Sequence, residues 1–183
     1  GHGVGWLLQA HPPAMSPAER VALCAALGLA GDPLFNAGRG AALQEDGAAR
    51  VSAGFMESRR QKLSAVVNVE GILHPSELAW LLQSERFCVL DAAGASRLAD
   101  RLGVRRRNLV TEARRRKWER QQTTGAGGRS GTIGCVCGSA RGDLAAVTST
   151  GGVGNETMGR IGDTPGIAGN WCDGRTAVSC TGQ

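Results

Sequence analysis

Thr132 follows Gly131 at the end of a glycine-rich stretch and opens the apolar run IGCVCG. A threonine in that place gains chemistry only if the bond before it is cut, because the freed α-amine can then serve as base for its own hydroxyl. A reference amine pKa of about 7.7 to 8.0 sets that base near the pH where it is useful. Taken alone, Gly-Thr reads as an ordinary strand threonine. Thr148 and Thr150 share one face of a strand, since side chains alternate with period two. Arg160 and Asp163, isolated in a glycine-rich loop, read as a structural ion pair, and Asn36 in FNAG reads as a turn residue. The six cysteines, at 24, 88, 135, 137, 172 and 180, include no C-x-x-C and no matching histidine spacing. They point to reduced cytosolic thiols rather than a zinc site or a disulfide framework.

Elements must bring these groups together. Ser16 as N-cap, Pro17 at the first helical position and Glu19 completing a capping box start a helix that Gly28 is expected to end. DPLFNAGRGAAL then reads as an ordered turn region. KLSAVVNVEG has strand character, while HPSELAWLLQSE and AGASRLADRLG read as helices, the second closed by Gly103. TEARRRKWERQQ, capped by Thr111, has helix formers and almost no apolar stripe, so it belongs at the edge of the domain. Residues 123–131 have the composition of a flexible linker. From Thr132 the pattern is a hairpin, with a turn over Ser139–Gly142 and a second strand from Leu144 to Thr150. In that hairpin Cys135 and Cys137 face away from Thr132, which makes them packing residues.

A chain of 183 residues with 42% apolar content suits one domain with a real core. The net charge of +5 is concentrated in RLGVRRRNLVTEARRRKWER, so no general polycation is implied. Nucleic acid is a weak candidate partner, because Glu112 and Arg116 fit i,i+4 pairing and stacking aromatics are scarce. The chain lacks a signal-peptide pattern and a bilayer-length apolar run, so a soluble, cytoplasmic protein is expected, without membrane partners.

Six segments in order, DPLFNAGRGA (32–41), NLVTEARRRKWE (108–119), GTIGCV (131–136), GDLAAVTSTGG (142–152), GRIGDTP (159–165) and AVSCTG (177–182), resemble the plant-type asparaginase and isoaspartyl peptidase family of N-terminal nucleophile hydrolases. The resemblance implies an α+β fold, a four-layer αββα sandwich, incomplete here. It implies self-cleavage between Gly131 and Thr132, giving an α part (1–131) and a β part (132–183) that begins at the nucleophile Thr132. Thr150 would support that nucleophile, Thr181 and Gly182 would form the oxyanion hole, and Asn36 would lie close by. Arg160 would grip the substrate α-carboxylate and Asp163 its α-ammonium. No organic cofactor is implied. A structural sodium ion would be held by the carbonyls of Leu29, Ala30, Asp32, Phe35, Ala37 and Arg39, a hard-oxygen set suited to a hard cation. The implied reaction is hydrolysis of L-asparagine or β-aspartyl peptides to L-aspartate, by α/β units that pair as a homodimer of heterodimers.

The chain also departs from the family pattern. A single helix separates HGVG (2–5), the counterpart of a family strand, from DPLFNAG, where the family has two, and Ser130 replaces a common histidine. The sequence stops just after Thr181 and Gly182, where the family continues. An inactive truncated homologue or fragment is therefore the alternative reading. A glycosylasparaginase fits less well, since that group has Asp-Thr and TSTNG in place of Gly131-Thr132 and TSTGG.

Overall fold

The computed structural model describes residues 15–125 and 131–181. HGVG, most of the expected linker and Gly182 lie outside the described residues.

Helix α1 (Pro17–Gly31) starts as its sequence predicts: Ser16 Oγ accepts the Glu19 N–H at 3.3 Å, and Glu19 Oε2 accepts the Ser16 N–H at 2.8 Å. It does not end at Gly28. Ala22, Leu23, Ala26, Leu27 and Ala30 recur every three to four residues and are all buried, so the apolar stripe carries the helix past a glycine that costs only about 1 kcal/mol. Asp32 takes the C-terminal cap, and the turn region after it holds no regular element, as expected.

The chain then lays down β1 (Arg50–Glu57), β2 (Ser64–Glu70), α2 (Pro75–Leu81), β3 (Val89–Leu90) and α3 (Ala92–Arg101). Next come α4 (Glu112–Thr124), the hairpin β4 (Ile133–Gly138) and β5 (Leu144–Thr150), and the pair β6 (Asn170–Cys172) and β7 (Ala177–Ser179). The main sheet has the order β3-β2-β1-β5-β4, antiparallel except for the β2–β3 pair. The hairpin turn closes through the Gly142 N–H on the Ser139 carbonyl at 2.9 Å. Thr111 caps α4, accepting the Arg114 N–H at 3.2 Å, and Glu112 pairs with Arg116 at 2.8 Å. That helix runs to Thr124, two residues into the expected linker, and stops at Gly125 in the left-handed conformation.

Helices α1, α2 and α3 pack on one face of this sheet, and β6–β7 packs on the other against β1, β4 and β5. The fold is α+β, with helices, the main sheet and the smaller sheet stacked as three of the four layers that the family resemblance implies. Alternation along β5 divides its side chains: Ala145 and Val147 join the helix-side core with Phe55 and Ile133, while Ala146 joins Met56 and Cys172 beneath β6. Cys135 and Cys137 pack against the helix-side core, as their register demands. Thr148 and Thr150 are left facing β6–β7, the side on which the candidate site is built.

Candidate active site

Register puts the two key hydroxyls side by side. Ile133 pairs with Ser149, so Thr132, one residue before β4, stands against the last residue of β5. The Thr132 hydroxyl donates to Thr150 Oγ1 at 3.2 Å, and Thr150 Oγ1 also accepts the Gly152 N–H at 3.1 Å. Thr132 is half-buried and Gly131 is exposed. A hydroxyl held by one neighbour beside an accessible peptide bond is the geometry an internal nucleophile needs.

The carbonyl before Thr132 is also held. Asn36, 4% exposed, donates through Nδ2 to the Gly131 and Gly152 carbonyls, both at 2.6 Å, while its Oδ1 accepts the Ala42 N–H at 2.7 Å. The Gly151 N–H donates to the Asn36 main-chain carbonyl at 2.9 Å. Gly151 lies so flat on this residue that a Cβ there would come within 2.8 Å of Asn36 Oδ1. Asn36 is thus far more than a turn residue: it ties the first loop to both ends of the hairpin.

Thr181 closes over the same face from β7. A Cβ at Gly134, two residues after Thr132, would overlap Ser179 Oγ and lie 2.8 Å from Thr181 Cγ2. Glycine at 134 is what lets this segment approach the strand. Thr148 fixes its height: its Oγ1 lies 2.5 Å from Ser179 Oγ, 2.9 Å from the Gly169 carbonyl and 3.0 Å from Asn170 Oδ1.

Arg160 and Asp163 sit on the loop from Gly151 to Gly169, both exposed. They do not form the ion pair that their spacing suggests; Arg160 Nη1 instead meets Glu156 Oε2 at 3.2 Å. The Arg160 carbonyl accepts from Asn68 Nδ2 at 2.8 Å, which anchors the loop to β2. The only sequence signal for Glu156 is its i,i+4 spacing from Arg160.

Main-chain hydrogen bonds fold the loop from Leu29 to Arg39. The Leu29 carbonyl accepts from the Asp32 N–H at 3.2 Å, Ala30 from Arg39 at 2.8 Å, and Asp32 from Phe35 at 3.2 Å. Each of these oxygens keeps a second lone pair, and Gly38, at φ 51°, fits where a Cβ would lie 2.5 Å from the Leu73 carbonyl. Main-chain carbonyls are the donor type that a hard monovalent cation takes. Among the described residues no three His, Cys, Asp or Glu side chains cluster as a metal site.

All six cysteines are free. Burial raises the Cys135 thiol pKa, and burial with the nearby charges of Glu57 and Asp173 pushes Cys172 up to about 12. Neither supplies a ready thiolate. A cavity of about 550 Å³ lies elsewhere, among the helices beside Glu19, Trp80, Gln83 and Leu98, and includes none of the residues around Thr132.

The asparaginase family model matches residues 20–183, and on that span the chain belongs to the asparaginase family. It is 38% identical over 169 residues to the isoaspartyl peptidase/L-asparaginase of Synechocystis sp., an alignment covering 84% of this chain and 51% of that protein. The Nostoc sp. protein of the same name is 39% identical over 170 residues (82% and 53% covered), and that of Homo sapiens 35% over 171 residues (87% and 56%). The chain spans about half the length of the curated relatives it matches.

Proposed function

We propose that this chain carries the reacting core of a self-cleaving threonine amidohydrolase that converts L-asparagine or β-aspartyl peptides to L-aspartate. The observation that carries the reading is the clamp on the Gly131–Thr132 bond: Asn36 Nδ2 lies on the Gly131 carbonyl at 2.6 Å while Thr150 holds the Thr132 hydroxyl at 3.2 Å. The names of the relatives supply the substrate class.

In the first reaction Thr132 Oγ attacks the Gly131 carbonyl carbon, and Asn36 donates to the oxygen as it gains negative charge. The C–N bond breaks, the proton from Oγ ends on the Thr132 nitrogen, and an ester links Gly131 to Thr132. Water hydrolyses that ester, leaving a carboxylate on Gly131 and a free amine on Thr132. Residues 1–131 and 132–183 then become separate α and β parts.

In the second reaction the amine takes the proton from Thr132 Oγ as it attacks the substrate side-chain amide carbon. Thr181 and Gly182 donate to the new oxyanion, Arg160 and Asp163 hold the α-carboxylate and α-ammonium, and Thr150 orients the nucleophile. The proton passes to the leaving nitrogen, ammonia or the amino end of a peptide departs, and water releases aspartate from the β-acyl ester. A sodium ion on the carbonyls of Leu29, Ala30, Asp32, Phe35, Ala37 and Arg39 would stiffen the loop that presents Asn36. The enzyme would need no organic cofactor. It would work in the cytoplasm as two paired α/β units, with no helix among the described residues long and apolar enough to cross a membrane.

The test is the intact mass of purified protein, followed by ammonia release from L-asparagine. Two pieces meeting at Gly131 and Thr132 are expected, with a single piece for Thr132→Ala. A folded, unmodified chain that stays whole and releases no ammonia would make this an inactive homologue.

A further inference from the structure

We propose that Glu156 sets how strongly this site selects for an α-carboxylate, by holding Arg160 and offsetting part of its charge; this rests on reading Arg160 and Asp163 as the binder of an amino-acid head group. The Glu156 side chain is 5% exposed and the Arg160 side chain 41%. Glu156 Oε2 accepts both the Val153 N–H at 2.8 Å and Arg160 Nη1 at 3.2 Å, and Oε1 accepts Gln44 Nε2 at 3.4 Å. Gly152, at φ 81°, passes so close that any side chain there would overlap this carboxylate. Glu156 therefore fills the ground between the Thr150 turn and Arg160.

A guanidinium can grip a carboxylate along its Nη1/Nη2 edge or its Nε/Nη2 edge. With Nη1 committed to Glu156, the Nε/Nη2 edge is left for a ligand. That ligand's carboxylate meets Arg160 with a second anion behind it. At a separation of about 6 Å and an effective dielectric of about 40, the repulsion weakens its binding about tenfold. The charges of Glu156, Arg160 and Asp163 sum to −1, so the site attracts the ammonium fully and the carboxylate weakly. Compounds with an amidated α-carboxyl group are therefore admitted beside those with a free one.

The test compares L-aspartate with its α-amide, L-isoasparagine, by calorimetry on the purified chain and on Glu156→Gln. The glutamine oxygen still accepts from Val153 and Arg160, and its amide nitrogen gives up only the 3.4 Å contact from Gln44 Nε2, so the substitution removes charge and nearly keeps shape. The unmodified chain is expected to prefer L-aspartate by no more than about tenfold, and Glu156→Gln to raise that preference about tenfold further. An unchanged or smaller preference in the variant overturns the proposal. Should the variant fail to fold, the unmodified chain decides alone, and a preference clearly above tenfold overturns it. If the unmodified chain binds neither ligand, the head-group reading itself falls and takes this inference with it; binding of both with no change in ratio removes this inference alone.

Discussion

Replacing Asn36 with alanine separates the chemistry of the Gly131 carbonyl from the presence of the nucleophile. The 2.6 Å contact from Nδ2 is made already to the neutral carbonyl, so only its strengthening as the oxygen becomes anionic accelerates the reaction. A neutral bond contributes about 1 kcal/mol and an oxyanion donor about 3 to 4 kcal/mol, a difference of about 2 to 3 kcal/mol. Cleavage of Asn36→Ala should accordingly slow by about a hundredfold. The substitution also strips partners from the Ala42 N–H and the Gly152 carbonyl, at about 1 to 3 kcal/mol for each buried group left unpaired. The assay follows intact mass over time at fixed temperature, with far-ultraviolet circular dichroism to establish that the variant is folded. A folded Asn36→Ala protein that cleaves within about threefold of the unmodified rate would refute an oxyanion role and leave Asn36 a loop anchor only.

Thr148→Val removes the hydroxyl that meets Ser179, Gly169 and Asn170; asparagine turnover should fall at least about tenfold with KM little changed, and Thr148→Ser should restore it. Failure of serine to rescue would mean that the site responds to packing alone. Leu23→Ala, in the fully buried stripe of α1, should cost about 3 kcal/mol in urea unfolding, and a loss below about 1 kcal/mol would contradict its place in the core. His74, largely buried with the Arg107 cation nearby, has its pKa lowered from 6.5 to about 4. The unfolded chain then binds the extra proton between those values, so stability should fall by up to about 3 kcal/mol as pH drops from about 6.5 to about 4. His74→Gln should flatten that part of the profile, and an identical slope in the variant would assign the loss to other groups.

The Thr132–Thr150 contact was readable before any coordinates from a hairpin that Thr132 opens and Thr150 closes, together with the family resemblance, which implies that the two lie side by side. Asn36 was readable as a neighbour of the nucleophile only by resemblance; of its four hydrogen-bonding partners only Ala42 is near in sequence, and Gly131, Gly151 and Gly152 come from far along the chain. Strand β1 escaped notice because Val51 to Glu57 is buried on both faces, so RVSAGFME carries no alternation. The helix end at Gly28 was misplaced because a local propensity was outweighed by burial against β4 and β5. The partner of Arg160 was likewise hidden, since side-chain pairing within an irregular loop depends on its turns, and those turns place Glu156 nearer than Asp163.

The seam that a cut after Gly131 would create runs through the middle of the main sheet, where β5 lies between β1 and β4 and pairs with β1 from Ser52–Thr150 to Glu57–Ala145. With every cysteine free, nothing covalent would then join the severed halves. Before the cut, recovery after melting is a property of one molecule; afterwards it requires a bimolecular encounter and grows more difficult with dilution. A mature enzyme built this way would owe its endurance to slow opening, and scission would make its first folding the decisive one.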